Sequence, residues 1–131
     1  MRKAVAVAAV LVVLGALGAG FYLVGPPAEA RARRLDERRE HDLRQLRLAI
    51  DLYWTRHNSL PASLDDLARE AGTGIYSRDP ETGEPYDYSV KPADTYEVCA
   101  AFTRDSEARG DFWSHGAGKQ CYSITARRIR P

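Results

Sequence analysis

The chain opens with an unbroken apolar run, which sets its first residues apart from the rest. Residues 4–24 contain no charged side chain, and Tyr22 alone among them carries a polar group. A helix of this length, at about 1.5 Å per residue, is roughly 31 Å long and matches a hydrocarbon core of about 30 Å. The pattern therefore predicts a transmembrane helix over residues 4–24, after a short tail of residues 1–3.

A second, longer helix is predicted beyond the break Gly25-Pro26-Pro27. Residues 28–57 contain neither glycine nor proline, but apolar side chains recur at helical spacing only in the second half. Residues 31–40 are almost wholly charged. We therefore expect residues 25–42 to form the break and a solvated helical stalk. The apolar face that follows would lie on a sheet, and it comprises Leu43, Leu46, Ile50, Tyr53, Trp54 and His57.

The remaining chain predicts a short helix followed by three strands. Ser63 is an N-cap candidate with Asp65 and Asp66 in the first turn, so a helix is expected over residues 64–71, closed by Gly72. Apolar and polar residues then alternate with the period of two that is typical of strands. The predicted class is α+β, in which a long amphipathic helix packs on a small antiparallel sheet of about three strands. This domain would cover residues 43–131, with strands over residues 86–90, 95–102 and 120–126.

The two cysteines fall in the second and third predicted strands. Cys99 and Cys121 are the only cysteines of the chain, and on adjacent antiparallel strands they can lie opposite each other. A lone pair in a small exported domain is commonly a disulfide. The bond would close a loop of about 23 residues and stabilise the fold by roughly 3 kcal/mol in the chain-entropy model.

Two signals conflict over the side of the membrane on which the domain lies. Arg2 and Lys3 precede the apolar run, whereas five arginines follow it between residues 31 and 39. Because cytoplasmic flanks are usually the more basic, this count favours a cytoplasmic domain. The predicted disulfide favours the oxidising side. We expect an inner-membrane protein with its C-terminal domain on the periplasmic side.

A cleaved signal peptide is the alternative to a membrane anchor. Ala28-Glu29-Ala30 has the small-x-small form that signal peptidase accepts. The apolar run is longer than the usual signal core of about 15 residues, and Pro26-Pro27 makes a stiff cleavage region. We therefore expect a retained anchor. The alternative is a released periplasmic binding domain with a calcium-dependent acidic loop.

Several motifs of residues 43–90 resemble those of type IV pilins and type II secretion pseudopilins. The resemblance rests on DLRQLRLAIDLYWTRHNSLPASLDDL, on Asp79-Pro80 with Gly83, and on Pro85-Tyr86-Asp87-Tyr88. It implies a pilin-like fold and a place in the bacterial envelope beside secretion or pilus machinery. The chain lacks a glycine before the apolar run, and no acidic residue precedes Glu29. A prepilin processing site is thus not recognisable, and we do not expect standard polymerisation.

Two candidate sites stand out, each with a purely structural alternative. The loop FWSHGAGKQCY could present Phe112, Trp113 and His115 to a partner, or its aromatic residues could plug the open end of the sheet. An acidic corner offers oxygen ligands for calcium, although its spacing is not that of an EF-hand and a solvated turn would look the same. Its residues are Asp79, Glu81, Glu84, Asp87 and Asp94.

Composition and motifs narrow the function to a structural or interaction role. The formal net charge is +1, and the basic residues are not interleaved with an aromatic platform, so nucleic acid is not an expected partner. No catalytic motif is recognisable and no small-molecule substrate is indicated, so the protein is expected not to be an enzyme. The expected partners are the lipid bilayer and another envelope protein, with calcium as the one candidate cofactor.

Overall fold

A computed structural model describes residues 1–71, 75–107 and 110–129. The chain divides into two compact units, Met1–Ala32 and Arg33–Pro131. The predicted α+β class is confirmed. The elements in chain order are α1 (Arg2–Val24), α2 (Pro27–His57), α3 (Leu64–Ala71), β1 (Asp87–Lys91), β2 (Thr95–Phe102) and β3 (Gly118–Thr125).

The first unit is dominated by α1, which is apolar on every side. All side chains of residues 1–23 are exposed to the surroundings of the chain. The helix ends at Gly25, whose φ of 76° lies in the left-handed region and whose amide donates a hydrogen bond to the Phe21 carbonyl. By length and composition, α1 is able to cross a membrane.

The second unit, which we call the head, contains a three-stranded antiparallel sheet in the order β1-β2-β3. The alternation predicted for β2 is confirmed, since Tyr96, Val98, Ala100 and Phe102 are all buried. They share one apolar cluster with Leu43, Leu46 and Ile50 of α2 and with Leu64 and Leu67 of α3.

The start of α3 follows the predicted capping pattern. The Ser63 hydroxyl accepts a hydrogen bond from the Asp66 amide at 3.1 Å and donates one to the Asp66 carboxylate at 2.9 Å. These contacts satisfy an amide that the first helical turn would otherwise leave without a partner. The predicted role of Gly72 at the other end lies outside the described residues.

The predicted disulfide between Cys99 and Cys121 is present. The two residues are partners in the β2–β3 register, and their Cα atoms are 4.1 Å apart. On the same outer face, Lys119 of β3 forms an ion pair with Asp87 of β1 at 2.5 Å. The outer face is therefore cross-linked both covalently and by charge.

The expectation that the first half of α2 is a solvated stalk is wrong from Asp36 onward. Arg39 is only 3% exposed, and Asp36 is buried beside it. The Arg39 guanidinium donates hydrogen bonds to both carboxylate oxygens of Asp79 at 2.6 and 3.1 Å, to Glu81 at 2.8 Å and to Asp36 at 2.8 Å. A segment that is charged on all sides is thus held in the head through ion pairs rather than through apolar contacts.

Asp36 connects this cluster to the end of β2. Its carboxylate accepts hydrogen bonds from the backbone amides of Thr103 and Arg104 at 2.9 to 3.2 Å. Six residues further along α2, buried Asp42 accepts a hydrogen bond from the Tyr86 hydroxyl at 3.0 Å. These buried polar residues of α2 therefore fix both the end of β2 and the segment that leads into β1.

Burial and pairing shift the pKa values of these groups in different directions. The hydrogen bond to Asp79 raises the pKa of Arg39, with burial opposing it and Glu81 and Asp36 supporting it. Burial alone would raise the pKa of Asp79, but hydrogen bonds from Arg39 and from two loop amides lower it below its ordinary value. The pKa of Asp42, which has no such cation, is raised by burial.

Replacing the buried arginine should be far more damaging than replacing an exposed one on the same helix. We expect Arg39→Met to lower the free energy of unfolding by about 3–5 kcal/mol, because it leaves buried carboxylates without their cation. Arg33→Met, which breaks exposed ion pairs to Glu37 and Glu107, should lower it by about 0–1 kcal/mol. Denaturant unfolding of the full chain in detergent measures both.

The same pair of variants has a distinct pH dependence. The stability that comes from the lowered pKa of Asp79 is fully present above the ordinary value of 3.8, and it is lost as the pH falls through the lowered folded value. The deficit of Arg39→Met should therefore shrink as the pH is lowered below about 4. Equal losses for Arg39→Met and Arg33→Met at neutral pH would contradict the importance of this cluster.

Candidate functional site

Two leucines of α2 lie on its outward side and remain exposed. Leu48 is 50% exposed and Leu52 is 39% exposed, whereas Leu46 and Ile50, on the opposite side of the helix, are fully buried. Leu48 and Leu52 are four residues apart and so lie one above the other on the helix. They form a short apolar strip that the core does not use.

This strip borders a groove that we call the α2–α3 groove. Its volume is about 340 Å³. Leu67 of α3 is buried at its base, and Ala49 and Ile75 are partly buried there. Tyr76, next to Ile75 in the chain, is 65% exposed. The lining residues are Gln45, Leu48, Ala49, Leu52, Tyr53, Arg56, Leu67, Glu70 and Ile75.

One end of the groove is closed by a charged cluster. The Glu70 carboxylate of α3 lies 2.7 Å from His57 Nε2 and 3.8 Å from the Arg56 guanidinium. The Tyr53 ring lies 4.3 Å from that of His57, measured between centroids. The two contacts of Glu70 tie the last turn of α2 to α3. The groove is therefore a cleft between two joined helices, with Leu67 at its base and charged residues at one end, and it is suited to an apolar peptide segment.

The loop residues predicted as an interaction surface are mostly part of the core. Trp113 is 6% exposed and His115 is 8% exposed, while Phe112 is 50% exposed. The Trp113 ring packs 4.9 Å from that of Tyr122, and the Tyr122 hydroxyl donates a hydrogen bond to the Trp113 carbonyl at 3.2 Å. Burial raises the pKa of Tyr122 to about 12. The three predicted residues thus do not form one exposed surface, and the structural alternative holds for Trp113.

His115 is buried because its loop folds back over the end of β2. Its ring stacks on Phe102 with the centroids 3.6 Å apart, and its Nε2 lies 3.3 Å from the Glu40 carboxylate. Phe112 is the exposed member, and even its ring lies 5.6 Å from the Arg47 guanidinium carbon, which is a cation–π distance. The sequence allowed either arrangement of this loop, because the contacts of His115 with Phe102 and Glu40 join residues far apart in the chain.

The five acidic residues predicted to bind calcium do not converge. Arg39 binds the carboxylates of Asp79 and Glu81, and Lys119 pairs with Asp87. Asp79 also accepts hydrogen bonds from the amides of Glu81 and Thr82, as a solvated turn would require. Glu84 and Asp94 are exposed.

Potential metal ligands approach one another at a different place. Among residues 1–71, 75–107 and 110–129, the one set of three ligand atoms within 4.8 Å of each other is Glu97, Cys99 and Cys121. Both sulfurs of that set are joined in the disulfide. The geometry of the described residues therefore gives the calcium prediction no support.

Comparisons with known proteins leave the family open. No protein-family model, no curated protein and no solved structure matches this chain. The function must therefore be argued from the site itself.

The spacing of the leucines in α2 indicates a second contact surface, in addition to the side of the helix that packs in the core. The helical face through Leu46 and Ile50 accounts for the core, and this leaves Leu48 and Leu52 on the other side of α2. Large apolar residues at helical spacing outside the core face indicate a contact surface. Asp36 and Arg39 lie seven residues before Leu43 and Leu46 and so on the buried side of α2. Their other partners, however, lie at least 40 residues further along the chain.

Neighbouring aromatic residues of the loop give a direct test of core against surface. We expect Trp113→Ala to lower the free energy of unfolding by about 3–5 kcal/mol, because it leaves a cavity beside Tyr122. Phe112→Ala should lower it by about 1 kcal/mol, since half of that ring is already exposed. Thermal or denaturant unfolding of the two variants is the measurement, and a Phe112→Ala loss as large as that of Trp113→Ala would refute the assignment.

Proposed function

We propose that this protein is a single-pass membrane protein whose head binds another envelope protein through the α2–α3 groove. The observation that carries the proposal is the pair Leu48 and Leu52, exposed on the border of a groove of about 340 Å³. Covering apolar surface stabilises a complex by about 25 cal/mol per Å² before the costs of association are subtracted. A partner that covers these two leucines would therefore be stabilised in the complex by the burial of their apolar surface.

The helix α1 and the disulfide of the head bear on the membrane anchor and on the side of the membrane where the head lies. The apolar length of α1 supports retention in the membrane. The Cys99–Cys121 bond supports an oxidising compartment, so we place the head on the periplasmic side of the inner membrane. The arginines after α1 oppose this orientation. We give the disulfide more weight because it closes between residues of two neighbouring strands.

The sequence resemblance to pilins and pseudopilins supports an assembly role for the head. An apolar helix, a long amphipathic helix and a small antiparallel sheet follow one another in the order that the resemblance implies. We therefore propose a non-enzymatic structural module beside type II secretion or type IV pilus machinery.

Photo-cross-linking in intact cells tests the groove. We expect a photoreactive residue at position 48 or 52 to give an adduct of one defined size, because both positions border the contact. The matched controls are positions 89 and 123, which are exposed on the sheet and should give no such adduct. An absence of adducts at 48 and 52, or the same adducts at all four positions, would contradict the proposed binding site.

Thiol labelling in the same cells tests the location. We expect Cys99 and Cys121 to react only after reduction, and the intact mass of the membrane fraction to include residues 1–30. Labelling without a reductant would show that the disulfide is absent in the cell. A mature soluble chain that lacks those residues would favour the released domain.

A further inference from the structure

The outward side of α2 carries two arginines in line with the α2–α3 groove. At about 100° per residue, Arg34 and Arg38 lie within roughly 40° of Gln45 and Leu52 around the helix axis. Both arginines are exposed. The cationic positions and the apolar groove therefore belong to one continuous side of the same helix.

These two arginines differ from the arginines of α2 that form ion pairs within the head. Arg33 pairs with Glu37 and Glu107, and Arg44 pairs with Glu40 and Asp111. Arg39 is buried among three carboxylates. In the described ranges of the chain, Arg34 and Arg38 form neither a hydrogen bond nor an ion pair. The charge of Arg38 acts on Asp42, which is buried and accepts a hydrogen bond from Tyr86.

We propose that the segment that binds in the α2–α3 groove is an amphipathic helix with acidic side chains at one end, whose carboxylates pair with Arg34 and Arg38. This inference rests on the proposed function and specifies the chemistry of its partner. Unpaired exposed cations beside an apolar contact favour a partner of opposite charge, because charge complementarity sets orientation and excludes wrong partners.

The dimensions of the groove favour a helix. Its lining extends along α2 from Gln45 to Arg56, which is about 16 Å or three helical turns. A helix of that length presents apolar residues at i, i+3 or i+4, and i+7 to one groove. Leu48 lies ten residues beyond Arg38, or about 15 Å along the axis. The acidic residues of the partner are therefore expected about ten residues away from its first apolar anchor.

A bilayer surface is the other source of negative charge, and it fits the groove less well. Phosphate head groups can pair with exposed arginines. The leucine strip, however, borders a cleft that has α3 as its other wall, and a flat lipid surface does not enter such a cleft. A protein helix can enter the cleft and pair with the arginines at the same time. A lipid partner and a protein partner therefore predict different cross-links.

The test places a photoreactive residue at position 52 of the full chain in cells and varies only the arginines. We expect Arg34→Gln with Arg38→Gln to reduce the adduct by about two- to thirtyfold, the range for two exposed ion pairs. Arg34→Lys with Arg38→Lys should retain most of it. Lys91→Gln with Lys119→Gln removes the same charge from the sheet and should leave the adduct unchanged. Mass spectrometry should find acidic residues in the cross-linked segment.

Each other outcome refutes a defined part of the proposal. An adduct that survives Arg34→Gln with Arg38→Gln, or a cross-linked segment without acidic residues, overturns this inference and leaves the groove as the binding site. An adduct with the mass of a lipid assigns the arginines to the membrane and overturns it as well. The absence of any adduct in the wild-type background overturns both this inference and the proposed function.

Discussion

The architecture of the head depends on the buried guanidinium of Arg39. A charge that is 3% exposed is tolerated only where acceptors surround it, because its desolvation is otherwise too costly. Its acceptors come from Asp36, three residues earlier on the same helix, and from Asp79 and Glu81, at least 40 residues later. Satisfying this one cation therefore fixes the loop before β1 against α2. Asp36 receives the amides at the end of β2 in the same cluster, so the end of β2 is fixed by the same requirement.

Further along α2, other side chains also accept hydrogen bonds from backbone amides of distant loops. Asp51 accepts a hydrogen bond from the Arg127 amide at 3.0 Å, and the Thr55 hydroxyl accepts one from the Ile129 amide at 3.0 Å. Loops that follow strands have backbone amides without ladder partners, and side-chain acceptors on the helix satisfy them. The helix α2 thus combines an apolar strip for the sheet with polar anchors for the loops. Leu48 and Leu52 belong to neither set and remain exposed.

The parts of the fold that follow from local pattern were predictable from the sequence. The capped start of α3, the alternation in β2 and the opposition of Cys99 and Cys121 each depend on residues close together or on one strand pairing. The Arg39 cluster was not predictable, because its pairs with Asp79 and Glu81 join residues about 40 positions apart and a densely charged helix is usually solvated. For the loop around Trp113, the sequence left a partner surface and a plug of the sheet as alternatives, because an aromatic pair suits either. The structure decides for the plug at Trp113, and Phe102 and Glu40 provide the ring and the carboxylate that hold His115 inside.

The size of the α2–α3 groove determines how the proposed contact would work. Two exposed leucines beside a cleft of about 340 Å³ supply only a small part of the surface that a stable interface buries, which is about 1,200–2,000 Å². Contact through this cleft alone would be weak between two freely diffusing proteins. Anchoring both partners in one membrane changes this, because a tether raises the effective concentration without adding any contact. In such a setting the two arginines contribute less to the affinity of the complex than to the orientation and position of the bound helix. They would decide which end of a bound helix lies toward Arg34, and so which segments the groove accepts.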